Sequence, residues 1–387
     1  MRIAIDYTAA VWQGAGIGRY TRELIRSVIE QGPEHEYRLF YAAYGLDPAS
    51  PLLDSLPAIR TQHRNVRLIP IPLPPRRLAQ IWHRLRIPLP IELFTGRIDL
   101  LHATDFVPPP VATPVPVIVT VHDLSYIVHP ECALPSVARY LNGAVPRGVK
   151  RANAILADSM ATKRDLEQLM HVDPQRVTVV YPGVGPQFRP MELTESEPFW
   201  QTMKLPERYL LFVSTIEPRK NLPRLLEAYA HVRQQIGNLP LVIAGRKGWM
   251  YDEFFQAVEQ LGLTQHVRVL DYVHDKALPS LYNRAWAFVY PSIYEGFGFP
   301  ALEAMACGIP VLTADNSSLP EVVGDLAVLV RAEDVSSIAA GLERIVGDEA
   351  LRERLRAGGP ERAHAFTWSH AASQVLALYR ELGRSAA

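Results

Sequence analysis

Ala287-Phe288-Val289-Tyr290, then Pro291-Ser292-Ile293-Tyr294-Glu295-Gly296-Phe297-Gly298-Phe299-Pro300-Ala301-Leu302-Glu303, reads as a strand, a glycine turn and the start of a helix. Four consecutive apolar residues without polar alternation suit a strand buried on both faces. Gly296 and Gly298 punctuate the turn, and Pro300 fits a first helical turn because its missing N–H is not needed there. Val311–Ala314 supplies the next short apolar run. Strand, helix and strand in this order are the unit of a parallel sheet covered by helices.

The same alternation extends along nearly the whole chain. Strands are expected near Ile3–Asp6, Tyr37–Tyr41, Val66–Ile69, Leu100–His102, Val117–Val121, Ala154–Ala157 and Val177–Tyr181. A second series follows near Leu210–Val213, Leu241–Ala244, Val267–Leu270, Ala287–Tyr290, Val311–Ala314 and Ala327–Val330. Helical patterns such as Leu222–Gln235 and Phe254–Leu261 separate these strands, and Trp368–Leu382 is a last amphipathic segment. Between the series, Tyr181–Pro206 is rich in Pro and Glu and reads as a linker. The expected fold is α/β, with two facing doubly wound domains and a cleft between them. Residues 1–185 form the first domain and 186–367 the second.

Composition agrees with a soluble globular protein. The 387 residues are 48% hydrophobic and 21% charged, and forty basic residues balance forty acidic ones. That balance argues against a protein built to coat nucleic acid. It conceals an asymmetry, since residues 1–185 carry 20 Lys and Arg against 16 Asp and Glu. Cys132 and Cys307 lie far apart without ligand spacing to one another or to His, so neither a disulfide framework nor a metal site is read. Asp6 interrupts the first apolar run before a signal core forms, and a cytoplasmic location without a spanning helix is expected.

In doubly wound sheets, ligands sit beyond the carboxyl ends of the strands where the strand order reverses. Four loops qualify: Tyr7–Gly18, Ala103–Pro110, Ser214–Asn221 and Pro291–Pro300. Gly14-Ala15-Gly16-Ile17-Gly18-Arg19 precedes a helical run, so Gly16 and Gly18 could let backbone N–H groups approach a ligand; a plain turn is the bland reading. The spacing fails as a nicotinamide-dinucleotide fingerprint. In Glu217-Pro218-Arg219-Lys220-Asn221, the two cations suit a diphosphate and Asn221 could cap the following helix, with a solvated surface pair as the alternative. Glu295 and Glu303 are two carboxylates eight positions apart, flanking a helix start at Gly298 and Phe299 that favours an anion. Glu303 would accept ribose hydroxyls. His122 ends the strand Val117–Val121 and would enter the cleft, while His102 and Asp105 are weaker candidates. No nucleophile elbow and no H-E-x-x-H occurs.

Together these residues resemble glycosyltransferase family 4, the retaining transferases with two facing Rossmann-like domains and an E-x7-E motif, here Glu295 and Glu303. The resemblance spans the glycine loop, His122, Glu217–Asn221 and a final helix, 368–387, which in the family crosses back onto the first domain. It implies catalytic roles for His122, Lys220 and Glu295. It implies donor contacts by Gly16, Gly18, Arg219, Lys220, Phe297, Gly298, Phe299 and Glu303, with no metal and no cofactor beyond the nucleotide-diphosphate sugar itself. Many members carry an Arg five or six residues before the Lys, where Ser214 and Thr215 stand here. The neighbourhoods Glu217–Leu222 and His122–Ser125 resemble bacterial mannosyltransferases of surface-polysaccharide assembly, which tilts the donor toward GDP-mannose and the acceptor toward a glycan or lipid-linked glycan. A sugar-nucleotide epimerase of the same architecture is the alternative.

One stretch lies outside this frame. Residues 60–97 hold eight arginines (60, 64, 67, 76, 77, 84, 86 and 97) against Glu92, with Trp82 and several Leu and Ile among them. Such a face suits peripheral contact with anionic lipid at the inner membrane or a charged acceptor, and a proline-punctuated surface loop is the bland reading.

Overall fold

Every residue of Val117–Val121, Leu100–Ala103, Leu241–Ala244 and Ala287–Tyr290 is buried, as near-continuous apolar runs require when helices cover both faces of a parallel sheet. The computed structural model describes residues 1–14 and 16–385, and the chain divides into two units. The first unit comprises Met1–Leu124, Pro135–Gly183 and Thr367–Ala387; the second comprises Ser125–Leu134 and Val184–Phe366. Ser125–Leu134 thus groups with the second unit although its sequence lies inside the first. Trp249 holds it there by donating Nε1–H to the Cys132 carbonyl at 2.8 Å.

The strands of the first unit are β1 Arg2–Asp6, β2 Glu36–Ala42, β3 Val66–Ile71, β4 Leu100–Ala103, β5 Val117–Val121, β6 Ala154–Ala157 and β7 Val177–Val179. They pair in the order β3-β2-β1-β4-β5-β6-β7, all parallel. The second unit holds β8 Leu210–Val213, β9 Leu241–Ala244, β10 Val267–Leu270, β11 Ala287–Tyr290, β12 Val311–Ala314 and β13 Val328–Val330, ordered β10-β9-β8-β11-β12-β13. The order reverses between β1 and β4 in one sheet and between β8 and β11 in the other, so the four loops singled out above follow the switch-point strands.

The helix Ile17–Gln31 buries Tyr20, Leu24, Ile25, Val28 and Ile29, an i, i+4 and i+5 stripe that faces the first unit's core. The terminal helix Trp368–Ser385 covers it with Ala371, Ala372, Val375, Leu376 and Tyr379. Polar ties reinforce the seam: Gln31 donates to the Ser369 carbonyl at 3.1 Å, and Arg380 pairs with Glu34 at 2.9 Å. The expected linker is not wholly irregular, because Leu193–Met203 is a helix of the second unit. Its start is closed by reciprocal bonds between Glu192 and Glu195, a capping pattern in which each side chain satisfies the other residue's backbone N–H.

Candidate active site

Glu295 lies in the loop after β11 and is only 7% exposed, yet it is ionised because the chain surrounds it with donors. Lys220 Nζ stands 2.6 Å from Oε1, which also accepts from Tyr290 Oη at 2.8 Å and Ser292 Oγ at 2.6 Å. Arg219 Nη1 reaches Oε2 at 2.9 Å and the Tyr294 carbonyl at 2.7 Å, while its Nη2 pairs with Glu217 at 2.8 Å. Burial pushes the Glu295 carboxyl up, but Arg219 and Lys220 outweigh it and hold the group at about 2. Burial, with the Arg219 charge beside it, lowers Lys220. Two carboxylates and two basic side chains therefore close a largely buried quartet. Of the predicted site residues, Arg219, Lys220 and Glu295 are in direct contact.

The backbone explains why this loop holds. Gly298 has φ +108°, a conformation that suits glycine, and begins the helix Phe299–Ala306 with Pro300 in its first turn. Ser318 Oγ donates to the carbonyls of Glu295 at 2.9 Å and Phe297 at 2.8 Å, and Ser317 Oγ accepts from the Glu295 N–H at 2.9 Å. Phe297 packs edge-on against Phe299 and Phe366. Glu303, one turn into the helix and 3% exposed, accepts from Tyr282 Oη at 3.0 Å. Asn221 does not cap its helix through its side chain. Its φ is +62°, and its amide instead donates to the carbonyls of Pro291 at 2.9 Å and Ala332, tying the cation loop to the Glu295 loop. Sequence reasoning missed Glu217's pairing role, Tyr290, Ser292, Ser317 and Ser318. Only Tyr290 carried a signal, as the polar-tipped end of an apolar strand.

Gly16, Gly18 and His122 lie in the first unit. Ala15 of the glycine loop lies outside the described residues. Gly16 has φ +48° and open space where a Cβ would stand. Gly18 is glycine for packing, since a Cβ there would lie 1.9 Å from the Gln13 carbonyl oxygen. His122 is 5% exposed and has both nitrogens engaged, Nδ1 with Asp158 Oδ2 at 2.7 Å and Nε2 with the Thr104 carbonyl at 2.9 Å. Tyr20 and Phe106 present ring edges to it. Burial alone would lower His122, but the Asp158 charge and hydrogen bond outweigh it and raise the imidazole to about 9, so the ring is a cation at neutral pH. His102 is wholly internal, bonded to Tyr379 Oη at 2.7 Å and Thr120 Oγ1 at 3.2 Å, and burial depresses it to about 3. Near the switch point, burial raises Asp6 to about 6 and also raises Asp105.

Known proteins match along the whole length. A family model described as Glycosyltransferase Family 4 matches residues 14–188, and one described as Glycosyl transferases group 1 matches 195–362. The O-antigen chain mannosyltransferase B of Escherichia coli is 31% identical over 377 residues, 95% of this chain and 96% of the relative. Among solved structures, a sucrose-phosphate synthase from Thermosynechococcus elongatus covers 100% of both chains with a TM-score of 0.77 at 20% identity. HepE from Anabaena, solved with UDP and glucose, covers 98% of this chain and 100% of its own with a TM-score of 0.72 at 17% identity. These structural likenesses concern the fold, which is the two-domain GT-B architecture. The family models and the Escherichia coli relative do not support the alternative of an epimerase. With both domains matched in order and a relative this similar over its full length, the chain belongs to glycosyltransferase family 4.

Proposed function

We propose that the protein transfers mannose from GDP-mannose to a glycan or lipid-linked acceptor in surface-polysaccharide assembly, with retention at the anomeric carbon and without a metal ion. The observation that carries this reading is the largely buried quartet of Glu217, Arg219, Lys220 and Glu295 beside the helix start at Gly298. A diphosphate arriving there offers Arg219 and Lys220 a second anion. Glu295 is then released toward the hydroxyls of the donor sugar. Backbone groups of Phe297–Phe299 meet the sugar and phosphate, Glu303 takes the ribose, and the two cations stabilise the departing charge as a divalent ion would. The preference for mannose rests on the name of the Escherichia coli relative.

Retention through two displacements needs an enzyme nucleophile opposite the leaving group, as in retaining glycosidases. With Glu303 on the ribose, Glu295 has no partner carboxylate assigned to the sugar, which favours front-face transfer with the departing diphosphate accepting the acceptor's proton. His122, engaged at both nitrogens, acts in this scheme as a positioning residue that fixes the Thr104 carbonyl. Gly16 and Gly18 shape the loop beside it.

The eight arginines of residues 60–97 are exposed, as are Leu85 and Ile87. Peripheral contact with anionic lipid at the cytoplasmic face fits that surface. Among the described residues no helix is long and apolar enough to cross a membrane.

The test is incubation of the purified chain with a panel of nucleotide sugars and acceptor glycans, with proton NMR of the fresh product and a parallel reaction in strong chelator. An α-mannoside formed from GDP-mannose, unaffected by chelator, is expected. Preference for another donor overturns the mannose assignment. An inverted linkage overturns retention, and activity lost in chelator but restored by magnesium or manganese overturns metal independence.

A further inference from the structure

At the opposite, amino end of the second unit's sheet, three arginines gather on one indole. The guanidinium carbons of Arg208, Arg352 and Arg356 stand 4.7, 4.8 and 5.5 Å from the ring centroid of Trp286. Trp286 immediately precedes β11, and Arg208 lies two residues before β8, whereas Glu295 and Lys220 follow the carboxyl ends of the same strands. A four-residue strand at about 3.3 Å per residue separates the two places by at least about 13 Å.

Among the described residues nothing balances this charge by direct pairing. Among the described residues, none of the three arginines forms an ion pair; Glu353, beside Arg352 on the same helix, is the nearby acid that acts on Arg356 electrostatically. Arg352 is 7% exposed and donates Nη1 to the Val346 carbonyl, but its Nε has no partner. The Trp286 Nε1–H is likewise buried and unpartnered. Cation–π contact compensates part of the cost of burying a guanidinium, but it does not satisfy these N–H donors. Burial and the charges of Arg352 and Arg208 also lower Arg356, as expected for like charges crowded together.

We propose that this cluster binds a phosphate-type oxyanion at a site separate from the donor site. Several oxygens carrying up to two negative charges suit guanidinium forks gathered around one ring, since each fork can pair with phosphate through parallel N–H bonds. Arg208 and Arg356 are exposed and can be reached by a solute, whereas Arg352 is buried. The anion relieves the mutual repulsion of the three cations. It is carried either by a soluble phosphate ester or by a lipid headgroup.

Calorimetric titration of inorganic phosphate into the full chain and into the double variant R208Q/R356Q tests the site. Both substitutions are at exposed positions, so the fold is expected to survive, and unchanged circular dichroism checks it. The parent chain should take up phosphate saturably, with one site lost or weakened at least tenfold in the variant, while transfer activity is retained. Equal phosphate uptake by the two chains overturns the proposal. Because the donor site is the same in both chains, the difference between them reads the arginine cluster whether or not the proposed donor is correct. Sedimentation with phosphatidylglycerol vesicles then identifies the source. Binding that falls in R208Q/R356Q assigns the anion to a lipid headgroup, and binding that does not change assigns the phosphate site to a soluble ester.

Discussion

Glu295 is the partner of a buried Lys220 and a half-buried Arg219, so its replacement has two separable effects. Glu295→Ala leaves Lys220 and Arg219 facing one another across a lost anion, and breaking such a buried pair costs about 3–5 kcal/mol. We expect thermal melting of the variant to fall, with partial recovery when a nucleoside diphosphate supplies the missing charge; an unchanged melting temperature refutes the pairing. Turnover should also drop, whereas Glu303→Ala should chiefly weaken nucleotide binding, and steady-state kinetics separate the two. His122 gives a second prediction. Its folded pKa is raised to about 9, so its contribution to stability is complete below its ordinary value near 6.5 and is lost as pH rises through 9. Melting of the first unit should therefore decline by a few degrees across that interval, and Asp158→Asn should flatten the decline. A decline of equal size in the variant would disconnect it from the pair.

At the scale of elements, the two glycines of the first loop differ in kind. Gly18→Ala forces a Cβ against the backbone oxygen of Gln13 and should cost about 3 kcal/mol, as overpacking against a rigid neighbour does. Gly16→Ala meets no atom within 4 Å and bears only the strain of its positive φ with ψ −110°, about 1–3 kcal/mol. Denaturant titrations that rank them in the reverse order would contradict this geometry. The inner strands were legible because their burial on both faces writes them as near-continuous apolar runs, Leu241–Ala244 most plainly. The helix Leu193–Met203 was not, since its polar-rich run contains Pro198 and begins with a Glu192 cap in place of the usual hydroxyl or Asx. At the site, the Lys220 and Glu295 positions were readable from loops after switch-point strands. The serines that brace the Glu295 turn were not, because a serine that bonds a carbonyl 21 residues away leaves no local pattern. Asn221 shows the same limit, since its amide serves two distant carbonyls and not the helix it precedes.

Across the whole molecule, the first unit depends on residues at both ends of the chain. Ending the chain after Phe366 removes Tyr379 from His102 and uncovers the stripe of Ile17–Gln31. Calorimetry of this truncation should show loss of the first unit's transition with the second unit's retained; two intact transitions would mean that the terminal helix is dispensable. The same layout bears on biosynthesis. A chain leaving the ribosome exposes the apolar face of Ile17–Gln31 early, but the helix that covers it follows only after roughly 180 residues of the second unit. At about 5–20 residues per second, that interval lasts on the order of 10–40 seconds. The unit begun first is thus finished last, and throughout that wait Tyr20, which packs edge-on with Trp368 in the finished fold, is available to a chaperone or to another nascent chain.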